Sequence, residues 1–138
     1  MKHAVLEREE LLQIPTSSLA YLGDAIYELY VRERLVLRHK GQSGPLFKES
    51  LCYVEQGRQA AGIEHIVPQL TEEELALVKR SRNHVPASRP RKKDPAEYRK
   101  ATALEALCAW LWFSGQDERL EMLLLEIFEF LESEDNHE

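Results

Sequence analysis

The sequence has few of the features that mark secreted, membrane-spanning or zinc-binding proteins. Only two of its 138 residues are cysteines, Cys52 and Cys108, and they lie far apart in apolar stretches. Two such cysteines form neither a disulfide framework nor a zinc signature, so we expect core thiols in a reducing cytoplasm. The first residues, MKHAVLEREELL, lack the apolar core segment of a secretion signal. No apolar run is long enough to span a bilayer. These absences favour a cytoplasmic protein without a membrane partner.

Glycine and proline are also scarce, with six residues of each. No segment shows the alternation of polar and apolar residues that is typical of a half-buried strand, whereas long segments show a helical period. A chain of 138 residues is long enough for one domain with a real core. We therefore expect one all-α helical domain over residues 1–132 and a frayed acidic tail over 133–138.

The apolar periodicity and the capping residues predict six helices. They are expected over 3–13, from Thr16 to about Arg38, from about Pro45 to Ala61, from a capping box at Thr71 to about Asn83, from Pro95 to Phe113, and from about Gln116 to Leu131. Thr16 or Ser17 is the expected N-cap of the second helix. Leu46, Phe47 and Leu51 are expected to face the core. A basic, proline-containing loop is expected at about 84–94.

The predicted central helix contains an acid in an apolar setting. Ten of the thirteen residues from Leu19 to Val31 are apolar or aromatic, and Asp24 is one of the three exceptions. A helix that is apolar on nearly every side lies in the middle of a protein. We therefore expect Asp24 on a largely buried helix, where an unpaired carboxylate is costly.

A second helix has the same anomaly. Residues 101–113 read ATALEALCAWLWF, and Glu105 is the lone carboxylate among them. Neither Asp24 nor Glu105 has a basic residue three or four positions away. In one small core the two acids would repel each other, unless one is protonated or a cation lies between them. A hard divalent cation bound by carboxylate oxygens would remove the cost. The alternative is that each acid is structural and bonded to a hydroxyl or a backbone amide.

The charge of the chain is unevenly distributed. The net charge is −6, yet nine of the eighteen Lys and Arg residues lie between Lys79 and Lys100. Such asymmetry indicates a polyanion site on an otherwise acidic body, although charge runs are often only solvated loops. The candidate nucleic-acid-binding residues are Lys79, Arg80, Arg82, Asn83, Arg89, Arg91, Lys92, Lys93, Arg99 and Lys100.

Three stretches together resemble a known family. LAYLGDAIYELYVRERL resembles the signature helix of ribonuclease III catalytic domains, which centres on an LGDA-type tetrapeptide. ATALEALC resembles the second acidic helix of that family. The run VKRSRN…YRKATALEAL is similar to the compact bacterial branch, the Mini-ribonuclease III family, as is the short length without a separate double-stranded-RNA-binding domain.

The resemblance implies a fold, an activity and a site. It implies a homodimeric helical bundle that cleaves double-stranded RNA with Mg²⁺, with Mn²⁺ as a substitute, and leaves short 3′ overhangs. The implied substrate is precursor 23S ribosomal RNA, with ribosomal proteins on that precursor as further partners. Asp24 and Glu105 match the metal-binding catalytic acids of the family. Ala20 and Thr102 stand where the larger ribonucleases III carry two further acids.

That reduced acidic set supports a second reading from another functional class. In it the chain is a non-catalytic module that binds structured RNA or ribosome precursors with the same fold. In a third reading it is a helical dimerisation adaptor whose acids are bonded internally. Cleavage, binding without cleavage, and neither of these are the outcomes that separate the three.

Overall fold

The computed structural model describes residues 2–83 and 94–135. Within these two ranges the chain is all-α, as predicted, and contains no strand. Its elements are α1 (Arg8–Leu11), α2 (Thr16–Arg38), α3 (Leu46–Val54), α4 (Gln56–Ile66), a 3₁₀ turn (Val67–Gln69), α5 (Glu72–Arg82), α6 (Pro95–Phe113) and α7 (Asp117–Asp135). None of the helices in the described ranges combines the length and the hydropathy needed to cross a membrane.

Helix α6 forms the centre of the bundle. All but two of the residues from Ala101 to Leu111 are buried, because α2, α4, α5 and α7 all pack against α6. The longest of these contacts is with α2, whose Leu19, Tyr27 and Val31 are fully buried. The two helices that carry the candidate acids are therefore direct neighbours.

The structure corrects the expected burial of α2. Its inner face is buried as predicted, but its outer face is not covered by the described part of the chain. Tyr21 is 86% exposed and Leu29 is 47% exposed. Asp24 is also exposed, contrary to the expectation of a largely buried position. The apolar pattern counted residues on every side of the helix, whereas only one side packs within the monomer.

The segment predicted as one helix over 45–61 is two helices. Glu55 has an extended conformation (φ −61°, ψ 145°) and separates α3 from α4. The Arg58 guanidinium stabilises the break by donating hydrogen bonds to the carbonyls of Cys52 and Leu131, each at 2.8 Å. The expected core position of Phe47 is also wrong, since its side chain is 81% exposed. Leu46 and Leu51 are likewise exposed rather than buried.

The amino-terminal segment is less helical than predicted. Only Arg8–Leu11 is helical, and Val5 is 62% exposed. The Leu6 amide instead donates to the Phe113 carbonyl at 2.7 Å, which ties the segment to the end of α6. The N-cap of α2 is Pro15, without a side-chain cap, rather than Thr16 or Ser17.

The predicted caps of α5 and α6 are confirmed. Thr71 and Glu74 form a reciprocal capping box, and the Asp94 carboxylate accepts from the Ala96 amide at 2.8 Å. Helix α7 continues to Asp135, beyond its expected end near Leu131. The Arg58 guanidinium donates to the Asp135 carboxylate at 2.8 Å. Residues 133–135 of the expected frayed tail are helical, and residues 136–138 lie outside the described residues.

Candidate active site

A glycine brings the two acid-bearing helices into backbone contact. A Cβ atom added to Gly23 would lie 1.7 Å from the carbonyl oxygen of Glu105, which no side chain can tolerate. Only glycine therefore permits this approach of α2 to α6. Asp24 directly follows Gly23 in the chain, so the same contact places the Asp24 side chain beside Glu105.

The acids lie in a cleft between the amino-terminal halves of α2 and α6, which we call the acid cleft. Its volume is about 260 Å³. It is lined by Ser17, Ala20, Tyr21, Asp24, Tyr98, Thr102 and Glu105. On each helix the lining residues recur at helical spacing and so share one face. Asp24 and Glu105 are the last lining residues of their helices, so both carboxylates lie at the same end of the cleft.

The two carboxylates interact strongly. The pKa of Glu105 is raised to about 9, chiefly by burial and further by hydrogen bonding with Asp24 and by the charges of Asp24 and Glu28. Glu28 itself pairs with Arg32, at 3.4 Å, as its i,i+4 spacing predicts. Like charges at close range in a partly buried site favour the protonated form of one of them. Without a cation, Glu105 therefore holds a proton at neutral pH.

The composition of the acid cleft fits a hydrated divalent cation. No lysine or arginine is among the described residues that line it, although the described ranges contain no cluster of three or more potential metal ligands. Mg²⁺ is commonly held by one or two carboxylates while it keeps several waters. The side chains of Ala20 and Thr102 add no charge to the cleft, and the Thr102 hydroxyl donates to the Tyr98 carbonyl at 2.9 Å. The two acids therefore match the number of carboxylates by which such an ion is commonly held.

Part of the predicted basic segment is described by the structure. Lys79 and Arg80 are exposed in the last turn of α5, Arg82 is half-buried there, and Asn83 follows exposed as the C-cap. Arg89, Arg91, Lys92 and Lys93 lie outside the described residues, as does most of the loop expected at 84–94.

The two basic residues at the start of α6 do not line the acid cleft. The Lys100 ammonium forms an ion pair with Glu64 of α4. Tyr98, Thr102 and Glu105 define the cleft face of α6, and Lys100 projects roughly opposite to that face by the helical period. Arg99 is half-buried and is also absent from the cleft. Lys100 therefore has a structural partner of its own.

Three contributors to the site were missed by sequence reasoning. Gly23 is not among the residues that the sequence assigns to the site, although its closeness to Glu105 positions the acids. Tyr98 and Ser17 were not assigned to the site, although both line the cleft. The signal was present in the spacing, because Tyr98 lies four residues before Thr102 and seven before Glu105 on one helix face.

Comparison with known proteins identifies the family. The model of the ribonuclease III domain matches residues 17–116. A protein of Symbiobacterium thermophilum named Mini-ribonuclease 3 is 44% identical over 121 residues, which cover 88% of this chain and 93% of that protein. Another of the same name from Brevibacillus brevis is 37% identical and covers 94% of this chain and 99% of its own length.

A solved structure agrees with this assignment. The crystal structure of a Fusobacterium nucleatum protein superposes with a TM-score of 0.74 at 29% identity, and covers 85% of this chain and 93% of that one. The chain therefore belongs to the ribonuclease III domain family and, by its similarity over most of its length, to the Mini-ribonuclease 3 branch.

Proposed function

We propose that the protein is a Mg²⁺-dependent endoribonuclease that cleaves double-stranded RNA at the acid cleft. The observation that carries the proposal is the pair formed by Asp24 and Glu105, which line the same cleft and interact so that the pKa of Glu105 is raised, with no lysine or arginine among the described lining residues. Membership of the ribonuclease III domain family supports the same reaction. An uncompensated acid pair in a cleft is typical of a functional site rather than of a structural one.

Asp24 and Glu105 would hold the ion through their carboxylate oxygens. A bound Mg²⁺ supplies Lewis acidity toward water and toward the phosphate, and offsets the charge of the acids. Asp24 is exposed, so it faces an approaching strand, while half-buried Glu105 supports it from α6. The reaction needs no covalent nucleophile. Ser17 lines the cleft, but no histidine or lysine is among the described lining residues that could activate its hydroxyl.

The basic segment would bind the RNA backbone. Double-stranded RNA is recognised mainly by shape, phosphates and 2′-hydroxyls, and exposed cations such as Lys79 and Arg80 suit phosphate contacts. Arg82, Asn83, Arg99 and the basic residues at 89–93 belong to the same proposal. Lys100 also belongs to the proposal, but its ion pair with Glu64 would compete with its binding of a phosphate.

We also propose a homodimer formed through the outer face of α2. Tyr21, Leu29 and Val36 are 86%, 47% and 55% exposed and lie along one stripe of that helix with Ala25. Arg32 and Glu28 border the stripe with opposite charges, so the face is complementary to a copy of itself across a two-fold axis. Tyr21 also lines the acid cleft, so the dimer would place a second cleft on the same assembly, one for each strand.

In the cell we propose precursor 23S ribosomal RNA as the substrate, with Mn²⁺ able to replace Mg²⁺ and ribosomal proteins on the precursor as partners. The proposed location is the cytoplasm. These assignments extend the family membership to this chain. The competing proposal of an RNA-binding module without activity is favoured only by the uncharged side chains of Ala20 and Thr102.

One assay tests the activity and the alternatives together. A long RNA duplex is incubated with the full chain in Mg²⁺, in Mn²⁺ and in EDTA, and both products and gel mobility are recorded. Metal-dependent cleavage that is lost in Asp24→Asn supports the enzyme. A mobility shift without cleavage supports the binding module, and the absence of both supports the adaptor. Sedimentation of Val36→Glu against the wild type tests the dimer, because a new charge in the stripe would yield monomers.

A further inference from the structure

The acid cleft has two chemically different ends. Asp24 and Glu105 form its acid end, and Ser17 and Tyr98 lie seven residues before them on the same two helices. Seven residues of α-helix span about 10 Å. Between the two ends the cleft is lined by the small side chains of Ala20 and Thr102. We call the far end, formed by Ser17 and Tyr98, the hydroxyl end.

Tyr98 lines the cleft near the start of α6. The Thr102 hydroxyl bonds to the backbone carbonyl of Tyr98, not to its side chain. Within the described ranges the Tyr98 hydroxyl makes no hydrogen bond to the protein, although the residue is half-buried beside the cleft. Helical side chains lean toward the amino terminus of their helix, so the Tyr98 phenol leans away from Glu105. It therefore reaches a different part of a bound strand than the acids do.

The chemistry of the hydroxyl end favours a neutral partner. Among the described residues, those that line the cleft include no lysine or arginine, so the described lining of this end provides no positive charge for a phosphate. A phenol is both a donor and an acceptor. The 2′-hydroxyl of RNA is likewise a donor and an acceptor, and it is the group by which a protein distinguishes RNA from DNA at a given position.

We propose that the Tyr98 hydroxyl hydrogen-bonds the 2′-hydroxyl of a nucleotide near the cleaved bond and thereby helps the cleft to select RNA strands. The proposal rests on the proposed function, because it places the cleaved phosphate at the acid end. It makes Tyr98 a specificity-determining residue for that reaction. The RNA backbone between the cleaved phosphate and that nucleotide would then lie along the part of the cleft that Ala20 and Thr102 line.

The test pairs a one-atom protein change with one-atom substrate changes. Tyr98→Phe and the wild type are given the same RNA duplex with a defined cleavage position, unmodified or with single 2′-deoxy substitutions at each of the three nucleotides on either side. We expect Tyr98→Phe to lower kcat/KM on the unmodified duplex about three- to tenfold, the effect of one neutral hydrogen bond. At one position the deoxy substitution should slow the wild type by a similar factor and leave Tyr98→Phe unaffected.

Tyr30→Phe is the matched control, because Tyr30 lines a separate cavity between α2 and α7. It should behave as the wild type with every duplex. If every deoxy substitution slows Tyr98→Phe as much as the wild type, Tyr98 does not contact a 2′-hydroxyl and the proposal is overturned, while the nuclease remains established by wild-type cleavage. If the wild type does not cut the unmodified duplex in Mg²⁺, both proposals are wrong. Thermal unfolding of Tyr98→Phe at the wild-type temperature shows that the change is local.

Discussion

The acid cleft and the carboxylate of Glu132 are two partly buried acidic sites beside α2, and they differ in how the acid is paired. Near its amino end, α2 carries Asp24 beside Glu105, and the part of the cleft lining that the structure describes contains no lysine or arginine. Near its carboxyl end, Arg34 and Arg38 of α2 both bond to Glu132 of α7. The difference separates a site that is arranged for stability from one that is left open to a ligand.

The surroundings of Glu132 satisfy its carboxylate fully; we call Glu132, Arg34, Arg38 and Tyr53 the Glu132 cluster. Arg34 donates two hydrogen bonds to Glu132, at 2.6 and 2.8 Å, and Tyr53 donates a third at 2.6 Å. Burial alone would raise the pKa of Glu132, but the bonds from Arg34 and Tyr53 outweigh it and hold the pKa below its ordinary value. The cluster joins α2, α3 and α7, and the Glu132 carboxylate is fully hydrogen-bonded within it.

At the acid cleft, the surroundings shift the pKa of the acid in the opposite direction. Burial and the neighbouring acids raise the pKa of Glu105 to about 9. A group held in such a state lowers the stability of the free protein, and such strain is typical of functional sites. The comparison therefore predicts that changes in the acid cleft remove activity, whereas changes in the Glu132 cluster remove stability.

The largest effect is expected from Asp24→Asn, which would break the comparison if it left the enzyme active. Removing the charge of one ligand carboxylate should lower kcat/KM by about 10²–10³-fold, the size of a single electrostatic contribution to catalysis. RNA binding should persist, because the basic segment is unchanged. Initial rates on a long duplex in Mg²⁺ measure the first quantity, and mobility shifts in EDTA the second.

Glu33→Gln is the control for that experiment. It removes the same charge from an exposed position of α2 that lines the cavity toward α7 instead of the acid cleft. Its rate should match the wild type. Equal losses in both variants would mean that net charge, and not the acid pair, governs the rate.

The next effect is a reversal in the pH dependence of stability. Because the pKa of Glu105 is raised from 4.5 to about 9 in the folded protein, its contribution is intact below about pH 4.5 and is lost as the pH rises toward 9. In EDTA, Glu105→Gln should therefore be more stable than the wild type at pH 7, on the order of 3 kcal/mol. Urea unfolding of both proteins between pH 4.5 and 9 measures the difference, which should widen with pH and shrink when Mg²⁺ is added.

The same titration of Glu132→Gln should slope the other way. The pKa of Glu132 is lowered in the folded protein, so its contribution is present above the unfolded pKa and is lost as the pH falls. Two curves of the same slope would remove the distinction between the two sites.

The sequence predicted the helices that carry the site better than their surroundings. Asp94 and Thr71 correctly predicted the starts of α6 and α5, because an N-cap depends only on residues that are close in the sequence. The pairing of Asp24 with Glu105 followed from two lone acids in apolar helices. The break at Glu55 did not, because the partner that stabilises it, Arg58, bonds to Leu131 more than seventy residues away. The exposure of Asp24 was also missed, since periodicity does not tell whether an apolar face is covered by this chain or by another.

A third prediction concerns the Glu132 cluster. Glu132→Gln keeps the shape of the side chain but removes the negative charge that pairs with Arg34 and Arg38. Two partly buried guanidinium groups thereby lose their charged partner. Losing a partner of such a group costs about 1–3 kcal/mol, and the exposure of Arg38 favours the lower end. Urea unfolding at pH 7 should show this loss, while kcat/KM of the folded protein stays at the wild-type value. A large loss of activity in the folded variant would contradict the separation of stability from function.

The smallest expected effect concerns basic residues, which are compared in the same way as the acids. Lys100 is paired with Glu64, as Glu132 is with its arginines, so Lys100→Gln should leave RNA binding nearly unchanged. Joint neutralisation of Arg89, Arg91, Lys92 and Lys93 should weaken binding and flatten the slope of log K against log salt by about 3.6, because each of the four lost phosphate contacts removes about 0.9 of a released counterion. Fluorescence anisotropy of a labelled duplex between 50 and 200 mM salt measures both. If Lys100→Gln flattens the slope by a full contact, then pairing with Glu64 does not keep Lys100 from the RNA, and an ion pair in this fold does not mark a residue as structural.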